Sequence, residues 1–165
     1  ILQADPMTVP PVSALGYDPI LSMPSDMHEF GAKVTGRSVL LKALLLDQSF
    51  SAGIGNWMAD DILLHARLHP ARRSNTLSES EIKRLYDSIK FVSETAVAVD
   101  ADGSKFPVDW IFNCRWPSDR KNAPKIKGHL VKFETIAGRT TAYVPALQKN
   151  APQDGAEPKR LKKSK

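Results

Sequence analysis

The chain has 165 residues, 42% hydrophobic and 25% charged, with a formal net charge of +5 and a pI near 9.4. That suffices for one modest core plus a flexible tail, and the basic balance suits a polyanionic partner. It excludes a disulfide scaffold and a cysteine-built zinc site, because Cys114 is the sole cysteine, and the longest apolar run, 39–46, is too short to cross a bilayer.

Residues 1–30 read as a connector, in which Pro6, Pro10, Pro11, Pro19 and Pro24 remove backbone donors and bias their predecessors to extended conformations. From Gly36 to Asp47 the composition predicts a helix with Val39, Leu40, Ala43, Leu44 and Leu46 on a broad buried face. The segment SAGIGN at 51–56 breaks it. A second helix is predicted from about Asn56, through Trp57, Asp61, Ile62 and Leu64, to a stop before Pro70. A third is signalled by Ser78 and Glu81 at capping-box spacing, followed by Ile82, Leu85, Ile89, Val92 and Ala96 at helical spacing. It is expected to fade near Asp102 and Gly103. Two short β-like runs, HLVKFETI and RTTAYV, then flank a hairpin turn at Ala137-Gly138. From Asn150 the chain is polar and aperiodic, and 151–165 are expected to be a disordered tail. Much of the positive charge sits there, on Lys159, Arg160, Lys162, Lys163 and Lys165.

Gly53-Ile54-Gly55-Asn56 lies between two predicted helices. Glycines there permit positive φ and close approach of the backbone to another molecule, and a helix starting at Asn56 would aim unpaired N–H groups and a positive dipole end outward. The Asn56 side chain can cap that helix or donate to a phosphate oxygen. On spacing alone an ordinary interhelical turn with an asparagine cap is the better reading. His28, His65, His69 and His129 do not stand at metal-ligand spacing. Packing is the default for Trp57, Trp110 and Trp116, and Cys114 reads as structural.

Two motifs shift that balance. The run LLLDQSFSAGIGNWMADDILLHARLHP resembles the helix–two-turn–helix of the formamidopyrimidine-DNA glycosylase and endonuclease VIII family. An Asp-Gln pair falls on Asp47-Gln48, a Gly-Ile-Gly-Asn on Gly53, Ile54, Gly55 and Asn56, and a closing His-Pro on His69-Pro70. Asp61 stands where that family usually has a helix-orienting glutamate, and Ser49 where many bacterial members have lysine. The second motif, AGRTTAYVPALQK, resembles the family's closing finger in its plant-type, zincless form: Arg139, Thr141 and Tyr143 match, and Val144 and Leu147 stand where cysteines belong. Apolar packing of Val131, Phe133, Val144 and Leu147 is expected to replace the metal.

The resemblance implies a mainly α fold: a helix–two-turn–helix bundle over 31–150 followed by a zincless β-hairpin finger, with 1–30 as an interdomain linker and 151–165 as a basic tail. It implies the DNA-binding C-terminal region of a base-excision repair glycosylase and abasic-site lyase, monomeric, acting on damaged double-stranded DNA in the nucleus. No cofactor, metal or membrane is expected. Gly53, Ile54, Gly55, Asn56 and Arg139 are the expected DNA-binding residues. The family's nucleophile, an N-terminal proline amine, is expected to lie outside this chain, which begins at Ile1. No catalytic residue is therefore assigned, and the chain alone is expected to be inactive. A non-enzymatic nucleic-acid binder keeping only these two motifs is the alternative. An RNA-binding ribosomal protein with a similar helical motif is more distant.

Overall fold

The computed structural model describes residues 5–116 and 123–151. All of the expected basic tail except Ala151 lies outside the described residues. Among the described residues four helices, α1 (Met27–Thr35), α2 (Leu41–Leu46), α3 (Asn56–His65) and α4 (Glu79–Ala98), are followed by two antiparallel hairpins. The hairpins are β1 (Lys125–Ile126) with β2 (His129–Leu130), and β3 (Lys132–Ile136) with β4 (Arg139–Tyr143). This is the expected mainly α architecture closed by a hairpin finger.

The local signals act as their chemistry dictates at α4. The Ser78 hydroxyl accepts from Glu81 N at 3.3 Å and the Glu81 carboxylate accepts from Ser78 N at 2.9 Å, a complete capping box. Glu81 also receives both terminal nitrogens of Arg72, at 2.7 and 2.8 Å, with both side chains buried. This planar fork ties the α3–α4 connection to the start of α4. The helix stops at Ala98, a little before the expected limit, where Asp100 and Ala101 adopt positive φ.

Two elements differ from expectation. Helix α2 spans only Leu41–Leu46, because the preceding residues are held extended by a neighbouring segment. Leu40 bridges Arg73, Ser74 N donates to the Val39 carbonyl at 2.8 Å, and Arg73 donates to the Ser38 carbonyl at 2.8 Å. Helix α1 begins inside the expected connector, capped by Asp26, whose carboxylate accepts from His28 N, and it buries Phe30 and Val34 one turn apart. The connector itself is docked at Gly16 and Tyr17. Gly16 N donates to the Gln48 carbonyl and Ala52 N to the Tyr17 carbonyl, and a Cβ on Gly16 would lie 2.3 Å from the Phe50 carbonyl. The Tyr17 ring meets Phe30 and Phe50 edge-on, and Tyr86 closes the group against Phe30.

The main core lies between α1, α2, α3 and α4 and includes Phe30, Leu41, Leu45, Ile62, Leu63, Leu85, Ile89 and Trp110. A smaller one lies under the finger, built from Leu64, Ile111, Ile126, Val131, Ala142 and Val144, with Cys114 and Leu147 against it. Val131, Val144 and Leu147 thus fill the finger as expected. Phe133 does not, and stays 38% exposed, because it is β4 and not β3 that lies against α3.

His65 packs edge-on against Phe91 and Trp110, with Nε2 buried and unpartnered. Burial holds its imidazole below the ordinary value. The unfolded chain therefore takes up this proton first as pH falls, and the group subtracts stability on the acid side of about pH 6.5. His65→Phe removes both the orphaned nitrogen and the titration. Thermal melts should show a gain on the order of 1 kcal/mol near neutrality, widening at about pH 5.5. A gain that shrinks on acidification would refute this account.

Candidate nucleic-acid interface

The turn between α2 and α3 is shaped by the two residues before it. Gln48 accepts from Gly53 N at 2.9 Å and donates to the Leu46 and Ile54 carbonyls, each at 3.2 Å. Asp47 accepts from the Ser49 amide and hydroxyl, and pairs with Arg37 at 2.6 Å. The Ser49 hydroxyl above all, with the Arg37 guanidinium helping, holds the Asp47 carboxyl below its usual range. Ile54 is 1% exposed, backbone included, and anchors the turn in the core, so the outer surface of the turn is formed by exposed Gly53 and half-buried Gly55 on either side of it.

The two glycines differ in kind. Gly53 has φ +87°, a conformation that favours glycine. Gly55 is in extended conformation (φ −94°, ψ −179°), and a Cβ there would meet no atom within 4 Å. Neither backbone conformation nor packing within the chain calls for glycine at this position. Gly55, not Asn56, is the N-cap of α3, with Asn56 the first helical residue. The cap role expected for Asn56 is therefore corrected. Ala59 N donates to the Gly55 carbonyl at 3.0 Å, and the first-turn N–H groups ahead of it have no acceptor within the helix.

The Asn56 side chain reaches the finger. Its Nδ2 donates to the Thr140 carbonyl at 3.0 Å across 84 residues of sequence, and its Oδ1 is buried without a partner. The finger turn has Ala137 at φ +53° and Gly138 at φ +71°, the two-residue geometry that matches strand twist. Arg139, paired with Ile136 across the turn, follows at once and is exposed. The glycine turn and the finger are thus brought to one face by this contact, with Arg139 next in sequence to the residue that Asn56 holds.

Sequence reasoning missed the buried charges beneath that face. Asp60 is 1% exposed and receives Lys42 on Oδ1, and Arg115 and Ala142 N (3.0 Å) on Oδ2. Lys42 also donates to the Asn56 carbonyl at 2.7 Å. Burial, with the Arg115 charge adding to it, pulls the Lys42 ammonium down to about 7. Asp61, equally buried, accepts from Ile111 N at 2.6 Å and Phe112 N at 3.1 Å and so orients the short 3-10 turn Ile111–Cys114. Burial pushes its carboxyl up to about 7 against the pull of those two N–H groups. The available signal was a lysine interrupting the apolar run 39–46 and two adjacent aspartates inside an apolar helix.

Of the remaining candidates, Trp57 and Trp110 pack as read, whereas Trp116 does not. Trp110 is buried, Trp57 lies tilted over Phe106 and meets Phe112 edge-on, and Trp116 lies 67% exposed beside Phe112 and Arg115. His69 meets Tyr143 edge-on and accepts from Ala71 N. Among the described residues no group of His, Cys, Asp or Glu is placed to hold a metal ion.

Residues 15–108 match the family model of the formamidopyrimidine-DNA glycosylase H2TH domain. The chain is 42% identical, over 99% of its length, to a formamidopyrimidine-DNA glycosylase of Arabidopsis thaliana, of which it spans 41%. It resembles the crystal structure of MutM (Fpg) from Thermus thermophilus, with a TM-score of 0.68 at 32% identity, over 90% of this chain and 59% of that one. It also resembles Lactococcus lactis formamidopyrimidine-DNA glycosylase bound non-covalently to DNA containing an abasic site. There the TM-score is 0.68 at 26% identity, over 82% of this chain and 50% of that one. The chain therefore spans about half the length of the relatives it matches.

With Val144 and Leu147 in an apolar finger core, the fold is expected to owe nothing to zinc. Chelator treatment should leave the circular dichroism and melting temperature unchanged. Stoichiometric zinc in elemental analysis, lost together with the fold, would contradict this.

Proposed function

The chain belongs to the formamidopyrimidine-DNA glycosylase H2TH domain family, and from that membership we propose that it is the DNA-binding region of a base-excision repair glycosylase and abasic-site lyase. Its partner is damaged double-stranded DNA, and the face carrying the backbone of Gly53 and Gly55, the Asn56 side chain and Arg139 grips phosphates beside an extruded nucleotide. The single observation that carries this reading is Gly55. A glycine that the fold itself does not need, at the N-terminus of a helix and open to the outside, leaves room for another molecule to approach the backbone.

The chemistry of the face agrees. First-turn N–H groups and the helix dipole favour an anion, and an exposed guanidinium suits two oxygens of one phosphate. Such contacts fix register without reading sequence, as an enzyme that meets lesions in any context requires. Pulling a base from the stack costs a few kcal/mol, so several backbone anchors are needed. The lyase step itself is proposed for a proline amine of the parent protein, not for a residue of this chain. We further propose a monomer that acts in the nucleus, with the segment Lys159–Lys165 as its address. A reporter fused to 151–165 should concentrate in nuclei, and an even spread through the cell would remove that support.

A substitution at Gly55 separates this reading from a structural role. Gly55→Asp supplies a favoured N-cap and a charge that suits the dipole, so the melting temperature should hold or rise. The same carboxylate repels phosphate, so binding to an abasic-site duplex should fall on the order of tenfold or more. Arg139→Ala should weaken binding by roughly 1–3 kcal/mol and make the salt dependence shallower by about one unit, irrespective of flanking sequence. Asn56→Ala should weaken it with the slope nearly intact. Undiminished binding by folded Gly55→Asp and Arg139→Ala proteins would remove the proposed interface.

A further inference from the structure

We infer that Asp60 is a positioning residue that sets where the finger presents Arg139, doing by hydrogen bonds and charge what a metal does in a cysteine finger. The inference rests on the reading of this face as a DNA-backbone interface. Strand β4 is clipped to α3 at two points. The Asn56 side chain donates to the Thr140 carbonyl, and Ala142 N donates to the Asp60 carboxylate. The spacings agree: four residues of α-helix rise about 6 Å, and two residues of strand advance roughly 6.6 Å. Both clips therefore close together only in one register, and Arg139 falls just beyond the clip nearer the glycine turn.

The rest of the site makes Asp60 the stronger clip. Its other oxygen holds Lys42, which also takes the Asn56 carbonyl and so fixes the first turn of α3 from below. Arg115 meets the same carboxylate oxygen as Ala142 N and contacts the Thr140 carbonyl at 3.4 Å. One buried carboxylate thus joins α2, α3, the segment after the Ile111–Cys114 turn, and β4. Asp61 faces the other way, toward Ile111 and Phe112, and takes no part in the clip. Ala142 stands opposite Phe133 in the hairpin, and its N–H points to Asp60, so the clip acts on the finger from outside its own ladder.

The test uses the full chain with Asp60→Asn, which keeps the shape and removes the charge. A second variant, Asp60→Asn with Lys42→Met, also removes the ammonium that the first leaves stranded, so that the core stays folded. Amide hydrogen exchange should show protection of residues 139–143 falling on the order of tenfold or more while that of α4 is retained. Binding to an abasic-site duplex should fall about as far as in Arg139→Ala, and adding Arg139→Ala to the double variant should cost little more, because both act through one contact. Unchanged finger protection would overturn the inference. So would loss of α4 protection in step with the finger in the double variant, which would make Asp60 a general stabiliser, and so would binding losses that multiply as independent effects. If the parent chain fails to bind duplex DNA, the interface reading falls, while the exchange measurement still decides the role of Asp60.

Discussion

A carboxylate removed from water must be met by cations and N–H donors, and whatever supplies them is thereby fixed in place. Asp60 is met by Lys42 from α2, by Arg115 from beyond the 3-10 turn, and by Ala142 N from the finger. The elements that carry the proposed interface are joined at this point. Apolar packing alone would leave the short β3–β4 hairpin free to slide on α3, since side chains such as Val131 and Val144 have no directional demand. The polar contacts beneath the glycine turn supply that direction. Buried charges of this kind are weak arguments for stability, but they define one geometry among several of similar packing quality.

The glycine turn is organised in the same manner from its other side. Gln48 closes it by accepting from Gly53 and donating to the Ile54 carbonyl, which leaves Ile54 to anchor the turn in the core and Gly55 to face outward. A hydrogen bond donated by Ala52 N to the Tyr17 carbonyl holds the connector against the same turn. The turn is thus fixed by α2, by the connector and, through Asn56, by the finger. A rigid turn of this sort presents backbone N–H groups without the ordering cost that a loose loop would incur on meeting a phosphate.

Electrostatics divides along the same line. Lys42, Arg72 and Arg115 are engaged inside the fold, with Asp60, Glu81 and backbone carbonyls, and contribute to architecture. Much of the net charge of +5 lies in the last seven residues of the sequence. Engaged in this way, Lys42, Arg72 and Arg115 add no diffuse basic surface to the proposed face. What the proposed face offers, among the described residues, is an exposed arginine beside a helix N-terminus, which suits a defined phosphate position better than diffuse attraction.

The sequence alone determined the elements whose causes are local. The capping box at Ser78 and Glu81, the helical repeat from Ile82 to Ala96 and the two-residue turn at Ala137-Gly138 all rest on near neighbours in the chain. Family resemblance at Asp47-Gln48, Gly53 to Asn56 and Arg139 pointed to the proposed interface without revealing how its parts meet. Tertiary structure decided the rest, because the competing forces come from far along the chain. Pairing of Leu40 with Arg73 shortened α2 despite its good helix formers, and docking of β4 rather than β3 on α3 left Phe133 exposed. Asn56 lost its expected capping role and became a tether to Thr140, since the finger lies within its reach only once the chain is folded. The buried lysine and aspartates show the limit most clearly. A charge in an apolar run reads as an interruption until its partner, 18 residues away for Lys42 and Asp60 and 55 for Arg115, is brought beside it by the fold.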